Sequence, residues 1–213
     1  MDFAIRPEIG ALREKIRTFL DTRVHPREAE WLRWEEEHFP ECVEDHADIR
    51  ELQREAQGMG VWAGHLPKEA GGMGLSVADY GLLNEIIGRS YFAPRIFGSN
   101  APDSGNAEIL WHFGTPEQKE RFFWPLQRAE VRSFFGMTEP EVSGADPSDL
   151  RATAVRDGGD WVLNGHKWYS SNANGSGFGI VMAATDPSAP PYTRYSQILV
   201  PTATPGLKLV RPL

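Results

Sequence analysis

Apolar residues recur at helical spacing through the first 130 or so positions and at strand spacing after them. Ile9, Leu12, Ile16, Phe19 and Leu20 return at steps of three and four, with Arg13, Glu14, Lys15 and Arg17 between them, which predicts an amphipathic helix. The Glu-rich stretch from Pro26 to Pro40 carries Trp31, Trp34 and Phe39 and reads as helix or as an ordered excursion. Ile49 to Met59 is helical again and stops near Gly60. Leu66 to Leu75, with Gly71, Gly72 and Gly74, reads as a loop. Ser76 then caps a helix through Tyr80, Leu83 and Ile87, with Asp79 three residues after the cap. Thr115-Pro116-Glu117-Gln118 is a second start signal, because Thr can cap, Pro suits the first helical position and Gln can reach back to the cap amide. It predicts a helix through Phe122, Phe123 and Leu126, with Asn100 to Trp111 packed beside it.

After Arg132 the periodicity shortens. Ser133 to Thr138, Arg151 to Arg156, Trp161 to Leu163, Lys167 to Ser171, Gly179 to Ala184, Gln197 to Val200 and Leu207 to Val210 are runs of strand length separated by Gly-, Asn- and Pro-rich turns. Asn164-Gly165 stands between two of them, and a type I′ hairpin turn favours that dipeptide. The second part therefore reads as a small antiparallel β-domain, and the chain divides into residues 1–130 and 131–213. The last residues, Arg211-Pro212-Leu213, follow directly on a strand-like run, so a continuation is expected.

Composition narrows the class. In 213 residues, 40% are apolar and 24% charged, enough for an ordinary core and too apolar for disorder. Thirty acidic residues against 22 basic ones give a net charge of −8, which argues against nucleic acid as a default partner. Cys42 is the only cysteine, so neither an internal disulfide nor a cysteine zinc cluster can form. No secretory signal or run of about 18 apolar residues is visible. A soluble, cytoplasmic protein is expected.

Chemistry is concentrated in two places. The six histidines lack metal-ligand spacing, no Gly-x-Ser-x-Gly or Walker sequence occurs, and Gly71-Gly72-Met73-Gly74 does not follow a strand as a dinucleotide fingerprint would. In Phe134-Phe135-Gly136-Met137-Thr138-Glu139-Pro140 through Asp146, a strand runs into a polar loop whose amides and Thr138 hydroxyl suit a flat heteroaromatic ligand or a phosphate. An ordinary strand and loop accounts for the same residues. In Lys167-Trp168-Tyr169-Ser170-Ser171, aromatic rings alternate with hydroxyls, a composition that stacks on a ring and bonds its edge. Strand alternation places Tyr169 with Ser171 on one face and Trp168 with Ser170 on the other, and a merely half-buried strand explains it equally.

In this order the segments resemble the acyl-CoA dehydrogenase family across essentially the whole chain. The resemblance rests on Pro67-x-x-x-Gly71-Gly72-x-Gly74, Asn84-Glu85-Ile86-Ile87-Gly88-Arg89, Gly114-Thr115-x-x-Gln118-Lys119, Met137-Thr138-Glu139-Pro140 and Asn164-Gly165-x-Lys167-x-Tyr169. Asn100 to Asn106, Glu141-Val142, Thr185-Asp186-Pro187, Val200-Pro201 and Thr204-Pro205-Gly206 resemble the family member 10/11 branch, associated with long-chain or hydroxylated acyl groups.

The resemblance implies an α+β fold: an N-terminal helical domain, a middle β-domain and a C-terminal four-helix domain, the last absent and the middle one cut at its end. It implies FAD as cofactor, held by Phe135, Gly136, Met137, Thr138, Gly144, Ala145, Tyr169, Ser170 and Ser171. Thr138 would lie near the pyrimidine edge and the Ser171 hydroxyl near N5. Tyr169 stands where Trp is usual and Ser171 where Thr is commoner. Ala145 replaces a Ser that helps hold acyl-CoA, which leaves a backbone contact to substrate. The implied reaction is α,β-dehydrogenation of an acyl-CoA in fatty-acid β-oxidation, with an electron-transfer flavoprotein or similar acceptor and a homo-oligomer at full length. The base would belong to the absent domain. Glu139 reads as fixing its loop, so no catalytic residue is assigned and this chain alone is expected to be inactive. A non-catalytic flavin- or acyl-CoA-binding module completed by a partner chain, and an acyl-CoA oxidase or nitroalkane-oxidising relative, remain as alternatives.

Overall fold

The computed structural model describes residues 4–42, 46–144 and 146–212. Chain contacts separate two compact units, Met1–Glu130 and Val131–Leu213.

The first unit is helical. Pro7 starts α1 (Pro7–Phe19), which buries Ile9, Ile16 and Phe19 along one stripe. The ladder widens to a π-turn over Leu20–Val24 and tightens over His25–Arg27 before α2 (Glu28–His38). Pro26 has no amide to donate to the preceding turn, which accounts for the change of pitch. The Glu-rich stretch is thus helix, anchored by Trp31, which is fully buried and meets Phe92 edge to face at 5.3 Å. α3 (Ala47–Gly58) follows.

The glycine loop winds through one short turn, Lys68–Ala70, and Gly72 is required there: a Cβ would stand 2.2 Å from the Leu66 carbonyl oxygen. Ser76 caps α4 (Val77–Ile87) through the Asp79 amide, and α4 packs on α1. A short α5 (Ala93–Ile96), not foreseen in the sequence, puts Ala93, Ile96 and the flanking Phe92 and Phe97 into the core. α6 (Asp103–Phe113) lies beside the run that Thr115 opens. Thr115 and Gln118 form the expected capping box, at 3.2 and 2.9 Å. That run is α7 (Pro116–Gln118), a π-turn over Lys119–Phe123 and α8 (Trp124–Gln127); Pro125 again lacks the amide that would keep the α register.

The second unit holds β1 (Ser133–Gly136), β2 (Thr153–Asp157), β3 (Asp160–Asn164), β4 (Phe178–Ala184) and β5 (Tyr195–Pro201). β5 runs antiparallel along one edge of β4, while β1 and the start of β2 follow one another along the other edge, both parallel to it. The α+β class holds, but the expected all-antiparallel sheet is corrected to a mixed one. Its β2–β3 and β4–β5 pairs are antiparallel, and β1–β4 and β2–β4 are parallel.

Three local expectations also change. The β2–β3 hairpin turns at Gly158-Gly159, between paired Asp157 and Asp160, and Gly158 supplies the positive φ of 60°. Asn164-Gly165 instead ends β3, where Gly165 passes so close to Ala152 that a Cβ would lie 2.5 Å from the alanine methyl. Lys167 to Ser171 is not a strand, because Tyr169 has φ of 50° and Asn172 of 66°, which turn the chain out of extended geometry. Leu207 to Val210 is likewise irregular, with Val210 81% exposed. No helix among the described residues is long and apolar enough to cross a membrane.

Candidate cofactor-binding site

The two segments singled out by composition meet at the end of β1. Parallel pairing sets Gly136 opposite Val181, and the chain then leaves the sheet through Met137, Thr138 and Glu139. The Trp168 amide donates to the Thr138 carbonyl at 3.1 Å. Lys167 Nζ donates to the Met137 carbonyl at 2.8 Å and to Glu139 Oε1 at 2.7 Å. Two consecutive residues therefore bond three consecutive loop residues. Two of those three bonds start from a side chain, which explains how the segments run together without a β-ladder.

Glu139 is the fixed point. It is 1% exposed, and its carboxylate also accepts the amides of Arg151 at 2.6 Å and Ala152 at 2.9 Å. Burial acts to raise its pKa, but the Lys167 hydrogen bond and the two amides outweigh burial and hold it below the ordinary glutamate range. Burial dominates at Lys167 and lowers its pKa, against the pull of Glu139. The far part of the same loop is pinned by the Tyr195 hydroxyl, which donates to the Ser148 and Leu150 carbonyls at 2.7 and 3.1 Å.

The residues expected to hold a cofactor occupy the following positions. Phe135 is half-buried on β1 opposite Ile180, Gly136 is buried at its end, and Met137 and Thr138 are half-buried beyond it. Gly144 folds back over Thr138 so closely that a Cβ would sit 2.8 Å from the threonine methyl. Ala145 lies outside the described residues. Tyr169 is 68% exposed, and its ring lies 4.9 Å from that of Trp168, itself 39% exposed. Ser171 is exposed, with its amide turned back to the Tyr169 carbonyl at 3.1 Å, and the Ala173 amide reaches Ser170 at 3.1 Å. These turn bonds correct the expected two-face alternation of Trp168 to Ser171, since alternation needs extended backbone.

The Ser170 hydroxyl is buried and finds no hydrogen-bond partner among the described residues. A buried hydroxyl left unpaired costs about 1–3 kcal/mol, so this atom suits a polar ligand edge. With two neighbouring rings only partly covered, the corner fits a flat heteroaromatic group. The sequence pointed to Glu139 as a loop anchor but missed its partner Lys167. The available signal was a lone cation in a run of rings and hydroxyls. Among the described residues, no group of three His, Cys, Asp or Glu side chains is arranged to hold a metal.

The acyl-CoA dehydrogenase N-terminal domain matches residues 6–130, and the acyl-CoA dehydrogenase middle domain matches residues 134–213. The chain belongs to the acyl-CoA dehydrogenase family. Within it, the chain is 36% identical to acyl-CoA dehydrogenase family member 10 of Mus musculus over 98% of its own length and 20% of that protein. It is 42% identical to family member 11 of the same species over 78% of its length and 21% of that protein. A solved Mycobacterium abscessus structure assigned to the acyl-CoA dehydrogenases superposes with a TM-score of 0.90 at 38% identity, over 99% of this chain and 54% of that one. A glutaryl-CoA dehydrogenase from Mycobacterium smegmatis, solved in complex with FADH2, superposes at 0.73 with 28% identity, over 95% and 47%. The chain thus spans about a fifth of the two mouse relatives and about half of the two solved neighbours.

Proposed function

We propose that this chain forms the flavin-cradling part of an FAD-dependent acyl-CoA dehydrogenase that acts in fatty-acid β-oxidation. The observation that carries the reading is the Trp168 amide to Thr138 carbonyl bond, which brings the loop and the aromatic-hydroxyl segment shoulder to shoulder. Phe135 to Thr138, Gly144 and Ala145 would hold one side of the ring system, and Tyr169, Ser170 and Ser171 the other. FAD, when bound, supplies the two-electron acceptor for the hydride leaving the β carbon of the thioester. The chain's own contribution is binding and orientation. Thr138, Ser170 and Ser171 offer hydroxyl donors to the ring edge, and the partly exposed rings of Trp168 and Tyr169 shield it from water. The FADH2 complex of the glutaryl-CoA dehydrogenase supports the choice of flavin. Under the same reading the substrate is an acyl-CoA, touched by the backbone at Ala145, and an electron-transfer flavoprotein or similar acceptor regenerates the flavin in a cytoplasmic homo-oligomer.

The test is a titration of the purified 213-residue chain with FAD, followed by flavin fluorescence, alongside Thr138→Ala and Ser171→Ala. Loss of one hydrogen bond of about 0.5–1.5 kcal/mol predicts roughly twofold to tenfold weaker binding for each variant. A folded chain that leaves flavin fluorescence unchanged refutes the proposal, as do two variants that bind like the parent.

A further inference from the structure

We propose that Lys167 and Glu139 are positioning residues for the cofactor: their buried pair sets the spacing between the two sides of the cradle, an inference that rests on the flavin reading above. The pair joins three pieces of chain distant in sequence. The Lys167 ammonium grips Met137 through its carbonyl and Glu139 through its carboxylate, and Glu139 in turn holds the amides of Arg151 and Ala152. The residue after Lys167 closes onto Thr138. No strand ladder enforces this register, since 165–170 is irregular, so the side-chain clasp is the device that fixes it.

Chemistry favours positioning over bulk stability. A buried ion pair yields little net stability against an apolar or neutral pair of similar volume, because both charges lose their water. Its bonds are directional, however, and it fixes where Thr138 and Tyr169 stand. With Glu139 1% exposed and the Lys167 side chain 12% exposed, solvent cannot substitute for either partner. Removing one partner leaves the other charge buried and unpaired. Replacing both by the neutral Gln and Met removes the unpaired charge while losing the two-point grip of the ammonium.

The experiment compares Lys167→Met, Glu139→Gln, the double variant Glu139→Gln/Lys167→Met and the conservative Lys167→Arg in the whole chain. Three readouts are taken: thermal unfolding without ligand, FAD titration, and hydrogen exchange at the Trp168 amide. The double variant is expected to recover part of the melting temperature lost in Lys167→Met, the remaining loss coming from the backbone amide that faces the NH2 group of the introduced glutamine. Its FAD binding should stay about tenfold weaker or more and its Trp168 amide should exchange faster, while Lys167→Arg regains part of both. Variants that melt differently yet bind FAD within twofold of the parent overturn the positioning role and leave the flavin reading intact. A parent chain that binds no FAD defeats the flavin reading instead. In that case unchanged Trp168 exchange in Lys167→Met overturns the clasp as well, and faster exchange retains it as the device that sets the corner's geometry.

Discussion

Gly179→Ala tests the contact between β4 and β1, the strand that leads into the cofactor loop. Phe134 on β1 pairs in parallel register with Gly179 on β4, and its ring lies across the glycine. A Cβ at 179 would stand 2.2 Å from Phe134 Cζ, 2.4 Å from Cε1 and 2.5 Å from Cε2, each far inside van der Waals contact. The ring is only 7% exposed and cannot swing into solvent. β4 cannot retreat either, since β5 pairs with it from Phe178 to Ala184. Overpacking of this kind costs about 1–3 kcal/mol, and with three ring atoms overlapped the upper part of that range applies, about 2–3 kcal/mol. For a domain of this size such a loss lowers the melting temperature by roughly 10 °C or more. Urea unfolding with far-UV circular dichroism, read with hydrogen exchange of β1 and β4 amides, measures it. Phe134→Leu in the same background should vacate the space, so that the two changes couple by about 1 kcal/mol or more. Stability of Gly179→Ala within about 0.5 kcal/mol of the parent, or strict additivity with Phe134→Leu, refutes the packing argument.

Two further outcomes follow from other contacts. The Glu139 carboxyl titrates below its unfolded value, so its stabilisation is complete above the ordinary glutamate range and is lost as pH falls through the folded pKa. Lys167, lowered by burial, is charged in both states throughout that acid range and adds no slope there. Glu139→Gln should therefore flatten the acid limb of a stability against pH curve, and superimposable limbs would rule this out. At Thr115, mutation to Ala removes the capping hydroxyl and leaves the Gln118 amide without it. This should cost about 1 kcal/mol in urea unfolding, and a loss below about 0.3 kcal/mol would show that the cap does not hold the helix.

Glycine illustrates why some of the fold was legible in the sequence and some was not. At Asn164-Gly165 the expected hairpin turn is absent, because Gly165 serves closeness to Ala152, while the turn formed at Gly158-Gly159. Sequence shows that a small residue is needed but not whether turn geometry or a neighbouring methyl requires it. Among the site residues, Thr138, Tyr169 and Ser170 were visible as types suited to a flat ring. Their convergence was not, since Lys167 reaches Glu139 across 28 positions.

Local free energies were written in the chain itself. The apolar stripe of α1, the Ser76 and Thr115 caps and the change from helical to strand spacing depend on residues within one or two turns of each other, so the order of letters determined them. The parallel pairing of Ser133 with Phe178, the outward turn at Tyr169 and the buried bond between a lysine and a glutamate arose only once distant segments shared a desolvated interior. There, long-range hydrogen bonds and steric fit outweigh local preference, and the tertiary structure alone made that choice.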